Sequence, residues 1–157
     1  MLTSSEKKDY ILRLIEQMRR LVEALLHKVR TGDDAQPDLA GARQTLGQLL
    51  GPLAGIAPRM DSATAAQMVN DPDVLGAWAE LLAAEAEVAR AAGNAAAAET
   101  SWRRALELAI EAHLRAPADR ADLLELIARL RPTVNARVLA PRHADALDAI
   151  ADAAGGA

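Results

Sequence analysis

The chain has 157 residues, no cysteine, a formal net charge of −4, and an apolar fraction of 51% in which aromatics contribute 2% and Phe nothing. This length fits one domain able to bury its own core. The missing cysteine excludes disulfides, thiolate nucleophiles, iron–sulfur clusters and Cys-ligated zinc, and the acidic balance argues against nucleic acid.

Alanine and leucine dominate the apolar set, and strand formers are sparse. Both are strong helix formers, so the chain reads as all-α. Thr3-Ser4-Ser5-Glu6 spells a capping box. The long helix it opens ends near Thr31-Gly32, with Gly32 as C-cap. Ile11, Ile15, Met18, Val22, Leu25 and Val29 trace one seam, which Leu12, Leu14, Leu21 and Leu26 widen. Glu16 with Arg20, Arg19 with Glu23, and Glu23 with His27 stand at helical pair spacing on the wetter side. Interrupting charges at Arg13, Glu16, Arg19, Arg20 and Glu23 make this stretch neither a secretory signal nor a membrane span.

Pro37 suits the first turn of a second helix, which runs to Leu50 with Leu39, Leu46, Leu49 and Leu50 inward. Gly51 to Pro58 is a break. Asp61 caps a short helix over Ser62 to Val69, and Asn70-Asp71-Pro72-Asp73 marks a stop and restart. A third long helix covers Val74 to Ala92, with a narrow, mostly small stripe at Leu75, Ala79, Leu82, Ala86 and Ala89. Gly93-Asn94 ends it. Ala95 to Arg115 forms its antiparallel partner, turning Ala98, Trp102, Ala105, Leu106, Ala109 and Ile110 inward. Asp119 is expected to cap a helix carrying Leu123, Leu124, Ile127 and Leu130, which Pro132 stops. A weakly amphipathic segment from Arg142 to Ala154 follows, with Asp145, Asp148 and Asp152 on its wet face and Gly155-Gly156 at its end; its final turns are expected to fray.

Antiparallel helical hairpins invite comparison with the tetratricopeptide repeat. With Gly93 at the turn, Ala98, Trp102 and Ala105 fall at that repeat's small, aromatic and small positions, and Ala86 falls at its glycine. Glu85 and Ala89 depart from the pattern, and the second helix overruns the expected proline before Pro117. Residues 74–116 therefore resemble one degenerate repeat, and residues 7–50 a poorer one, through Gly32, Ala42 and Leu46. The opening Asp9-Tyr10-Ile11-Leu12-Arg13-Leu14-Ile15-Glu16-Gln17, the short helix at 61–70 and the hairpin at 74–116 are together similar to an uncharacterised family of bacterial tetratricopeptide-like proteins, over about residues 7–116. That resemblance implies the fold and carries no functional residues.

Candidate chemistry is thin. His27, His113 and His143 lack ligand spacing such as HExxH, and Glu111 stands two residues from His113, where helical side chains do not face one another. Glu80, Glu85 and Glu87 share one helix and read as a solvated face. No phosphate loop or nucleophile elbow is present, and none of the six threonines and four serines pairs with a base. Arg103-Arg104 and Arg19-Arg20 are basic doublets whose neighbours diverge by about 100° on a helix. Of the aromatics, Trp102 is expected in the core and Trp78 in the core or an interface.

The expected architecture is a single helical domain over 1–157: a first hairpin at 7–50, a connecting helix at 61–70, a second hairpin at 74–116 and C-terminal capping helices at 119–154. The expected function is a non-catalytic, cytoplasmic protein–protein interaction module, with no catalytic residues, cofactor, metal, nucleic-acid partner or membrane span. Stacked hairpins present a concave surface to a protein or peptide, assigned here to Glu80, Ala83, Glu87 and Arg90 of the third helix, and next to Arg13, Arg20, His27 and Arg30 of the first. Residues 1–31 hold seven Lys/Arg against four Asp/Glu, and the rest 11 against 18. That asymmetry of +3 and −7 supports an alternative, self-association through the first helix. A third reading, a ligand carrier or enzyme, would need buried polar groups, with His113, Asn135 and Gln67 as candidates.

Overall fold

Local capping signals set most helix starts in the computed structural model, which describes residues 2–155. The Thr3 hydroxyl accepts from the Glu6 amide, and the Glu6 carboxylate accepts from the Thr3 amide, opening α1 at Ser4–Thr31. Gly32 closes it at φ 77°, a left-handed conformation that costs glycine nothing. α2 spans Gln36–Leu50, with Pro37 in its first turn. Asp61 caps α3, Ser62–Val69. Asp71 caps α4, Pro72–Ala91, and Asn94 caps α5, Ala95–Arg115. α6 covers Ala121–Leu130 and α7 Pro141–Gly155. Four short 3-10 turns fill 51–53, 57–59, 131–133 and 136–138, and the described residues hold no strand. Gly155 is the last residue of α7, and Gly156, expected to help end it, lies outside the described residues.

One capping expectation is overturned. Asp119 does not cap α6; the N-cap is Arg120, without a side-chain cap bond. The Arg120 guanidinium instead donates to Asp73 at 3.0 Å and to Asp122 at 2.9 and 3.0 Å. A clamp reaching α4 fixes the entry of the chain into α6, in place of a local cap.

α1 and α2 run antiparallel, since Lys28 meets Asp38 at 2.6 Å while Gln17 donates to buried Thr45 at 3.1 Å. α4 is the hub and packs against α1, α2, α3, α5 and α6. The sequence pattern predicts a narrow buried stripe on this helix, yet Val74 to Ala79 are buried six in a row. A helix covered from every side loses its wet face, and small side chains make such crowding feasible. Ala77, Ala79, Ala84 and Ala86 are at most 2% exposed. At Gly76 a Cβ would lie 3.1 Å from Leu123 Cδ2, so α6 rests almost on the α4 backbone.

Leu25, Leu75, Leu81, Leu106 and Leu108 are fully covered, each worth about 1.5–3 kcal/mol relative to exposure. Trp78 is core, 2% exposed. Arg104 lies over its ring, 5.1 Å from the centroid, and donates to the carbonyls of Met60 at 2.8 Å and Ala57 at 3.3 Å. One half of the basic doublet thus pins the Gly51–Met60 break onto α5; burial pulls its pKa down from the ordinary arginine value. The C-terminal helices dock on the body. Leu123, Leu126, Ile127 and Leu130 of α6 and Leu147 of α7 join the same apolar cluster as Ile15 and Met18 of α1.

Candidate functional site

Three helices leave a trough on one side of the molecule. Its larger hollow, about 760 Å³, is lined by Val22, Leu26, Val29 and Arg30 of α1, Ala83, Ala84, Glu87 and Arg90 of α4, Trp102 of α5, and Arg129 and Leu130 of α6, with Thr133 beyond it. A smaller one, about 540 Å³, is lined by Leu12, Ile15, Asp73, Arg120 and Asp122. Arg19 and Glu80 line both, so the two adjoin. Low residue numbers of α1, α4 and α6 meet in the smaller hollow and high numbers in the larger, so the three helices run in the same direction along the trough.

The floor is apolar and small, and the rims are charged. Arg19 reaches Glu80 at 3.6 Å, and Arg90 pairs with Glu87 one turn earlier on α4. Burial raises the Glu80 pKa above the ordinary carboxylate value, outweighing the pull of Arg19 and Arg129. Among the described residues, Arg30 and Arg129 have no carboxylate within 4.0 Å, and Glu23 has no such cation. Arg30 is also well placed to complement the C-terminal dipole of its own helix.

The structure brings Glu80, Ala83, Glu87 and Arg90 together with Arg30 in this trough. Arg13, Arg20 and His27 are exposed and line neither hollow. The helical pairs expected on α1 do not form as ion pairs among the described residues; Arg19 turns across to α4 instead. Glu80, Glu85 and Glu87 are half-buried rather than a solvated face, and each meets an arginine, Glu85 taking Arg43 at 3.0 Å. Trp102, expected in the core, is half-buried: it packs on the core and also lines the hollow. Gln67 and Asn135 are exposed, and His113 is half-buried. Among the described residues no group of three or more His, Asp or Glu could hold a metal, and no helix is long and apolar enough to cross a membrane.

A second cluster lies at the junction of α5 and α7 and lines neither hollow. Glu111 is fully buried. Its Oε1 accepts from Arg115 Nη1 at 2.7 Å and Arg142 Nη2 at 2.9 Å. Its Oε2 accepts from Arg142 Nε at 2.8 Å and faces His143 Nε2 at 2.6 Å. Burial pushes this carboxyl's pKa up, but the bonds from Arg142, Arg115 and His143 outweigh it and hold the group at about 2. His143, 3% exposed, also lies 4.0 Å from Glu107, which accepts the Ser62 hydroxyl proton at 2.8 Å. Ser62 is itself 4% exposed, so it lacks the open approach that a nucleophile needs. The arrangement fastens α3, α5 and α7 together. The one local signal is Arg115, four residues from Glu111; Arg142 and His143 are 31 and 32 residues away.

With this geometry in hand, comparison with family models, with curated proteins and with solved structures finds no match. The fold defines the class: an all-α protein with seven α-helices among the described residues, a charged-rimmed trough on one side and a buried ionic junction at α5 and α7.

Proposed function

We propose that the protein is a non-catalytic interaction module that holds a segment of another protein in the trough between α1, α4 and α6. The observation that carries this reading is the trough itself, where an apolar floor of Val22, Leu26, Ala83, Ala84 and Leu130 is bordered by arginine and glutamate. Protein-binding patches combine a low-charge centre with a polar rim, and aromatic and Arg side chains are enriched in them. Trp102 and four arginines fit that composition. The likeness of 74–116 to a degenerate tetratricopeptide repeat supports it, since stacked repeats bind along their concave side. A chain without cysteine suits a reducing cytosol.

A photo-crosslinking residue at Ala83, inside the trough, and another at exposed Gln48, on α2, test the reading in cells. The expected result is one stoichiometric adduct with another protein from position 83 and none from position 48. Adducts from neither position would overturn it. An adduct only with a second copy would favour self-association, which the +3 charge of residues 1–31 and the exposure of Tyr10 and Leu12 at 40% and 44% support.

A further inference from the structure

We infer that the occupant of the trough is a single amphipathic α-helix of about 18 residues with acidic side chains toward the end beside Arg30 and Arg129. This rests on the reading just proposed and specifies its partner.

Shape is the first argument. The lining runs from Leu12 to Arg30 on α1 and from Asp73 to Ala91 on α4. At a rise of about 1.5 Å per residue each wall is about 27 Å long, the length of a helix of about 18 residues. The walls are parallel helices, whose side-chain ridges offer the grooves in which another helix seats. Ala83, Ala84 and Ala91 keep the floor low, so a helix axis can come close.

Hydrogen bonding favours a helix over an extended strand. An extended segment brings unpaired backbone donors and acceptors that its site must satisfy. The floor supplies aliphatic carbons, and Arg19, Glu80, Glu87 and Arg90 are occupied with one another. A helix satisfies its backbone internally and needs only apolar contact below and charge at the rims.

Charge sets the polarity. Arg120 is held by Asp73 and Asp122 at the smaller hollow. Of the charged groups lining the larger hollow, the cations Arg30 and Arg129 have no carboxylate within 4.0 Å among the described residues, against one anion without such a cation, Glu23. A second copy supplies this complement poorly. Its α1 is basic, and the apolar side of its acidic α7 is engaged in its own core through buried Leu147.

The test uses three labelled, end-capped 18-residue peptides read by fluorescence anisotropy against the full chain. One carries Leu and Ala on one face, Gln elsewhere, and glutamates in its first two turns, where the helix dipole favours anions. The second has lysine at those glutamate positions. The third is the glutamate peptide with a central proline, which breaks the helix. The glutamate peptide is expected to bind at least about tenfold more tightly than either of the others in low salt, with the advantage over lysine shrinking as salt screens the charges. The Arg30→Glu/Arg129→Glu protein should prefer the lysine peptide, and Arg30→Gln/Arg129→Gln should show no preference. Equal binding of the glutamate and lysine peptides overturns the inference, as does unimpaired binding of the proline peptide, which would mean an extended occupant. It is overturned too if no peptide binds, or if the peptides act by dissociating a self-associated chain in sedimentation. A partner adduct at Ala83 that persists through any of these failures leaves the interaction reading standing and removes only the helix.

Discussion

The trough and the α5–α7 junction are built from the same two side chains, arginine and glutamate, and differ in how much water surrounds them. In the trough, the carboxylates Glu80 and Glu87 keep 28% and 32% of their side-chain surface exposed. At the junction Glu111 keeps none. Exposed pairs are screened and gain little, commonly about 0–1 kcal/mol. A buried carboxylate with four bonds to its oxygens is a different object, because removing it or its partners leaves desolvated groups unsatisfied. The trough therefore carries ion pairs that add little to the stability of the fold, while the junction uses charge as a fastening.

The largest expected effect breaks the fastening. Glu111→Ala should cost about 3 kcal/mol, the low end for breaking a buried ionic cluster, because the Arg142 side chain is half exposed and can rehydrate. For a chain of this size that is a fall in Tm of roughly 6–12 °C by calorimetry; an unchanged Tm would mean α7 is held by Leu147 and its apolar neighbours alone. The pH dependence follows from the same group. Its folded pKa of about 2 lies below the ordinary 4.5. Its contribution is therefore full above about pH 4.5 and is lost as pH falls toward 2. Denaturant midpoints of the wild type should drop across that window, and those of Glu111→Gln should drop less.

Next in size is a wedge between the trough walls. Gly76→Leu forces a side chain into the contact with Leu123, and overpacking of this kind costs about 1–3 kcal/mol. Amide exchange should quicken in α6 before it does in α2. Uniform quickening would show that α6 is not a separately yielding wall. The smallest effect is expected in the trough. Glu80→Gln should change stability by less than about 1 kcal/mol. The sign is distinctive: burial raises the Glu80 pKa, so ionisation is disfavoured in the folded state, and the neutral variant should match or exceed the wild type once pH is above that pKa. A large loss at neutral pH would make the Arg19 pair structural and collapse the contrast with Glu111.

Helix existence was legible wherever the signal is local. The Thr3 and Glu6 capping box, Asp61 before α3 and Asn94 before α5 each satisfy first-turn amides from within four residues. Reading failed where a side chain answers to something distant. Asp119 looked like a cap, yet Arg120 clamping Asp73 decides the entry into α6. Glu111 offers one local cue, Arg115 four residues on, but its other partners, Arg142 and His143, arrive from α7. The trough was half visible. The spacing of Glu80, Ala83 and Glu87 placed them on one side of α4, but no periodicity could tell that Trp102 and Arg129 face them from other helices, or that Arg13, Arg20 and His27 lie outside the hollow.

The placement of the two tryptophans turns the protein into its own optical instrument. Trp78 sits sealed in the core under Arg104, and Trp102 stands at the trough with one side toward solvent. No other tryptophan contributes to the emission. The blue component is expected from Trp78 and should follow unfolding, while a red, quencher-accessible component is expected from Trp102 and should follow occupancy. With Trp78→Phe or Trp102→Phe removing either component, filling of the trough and loss of the fold can be followed in one cuvette without a label.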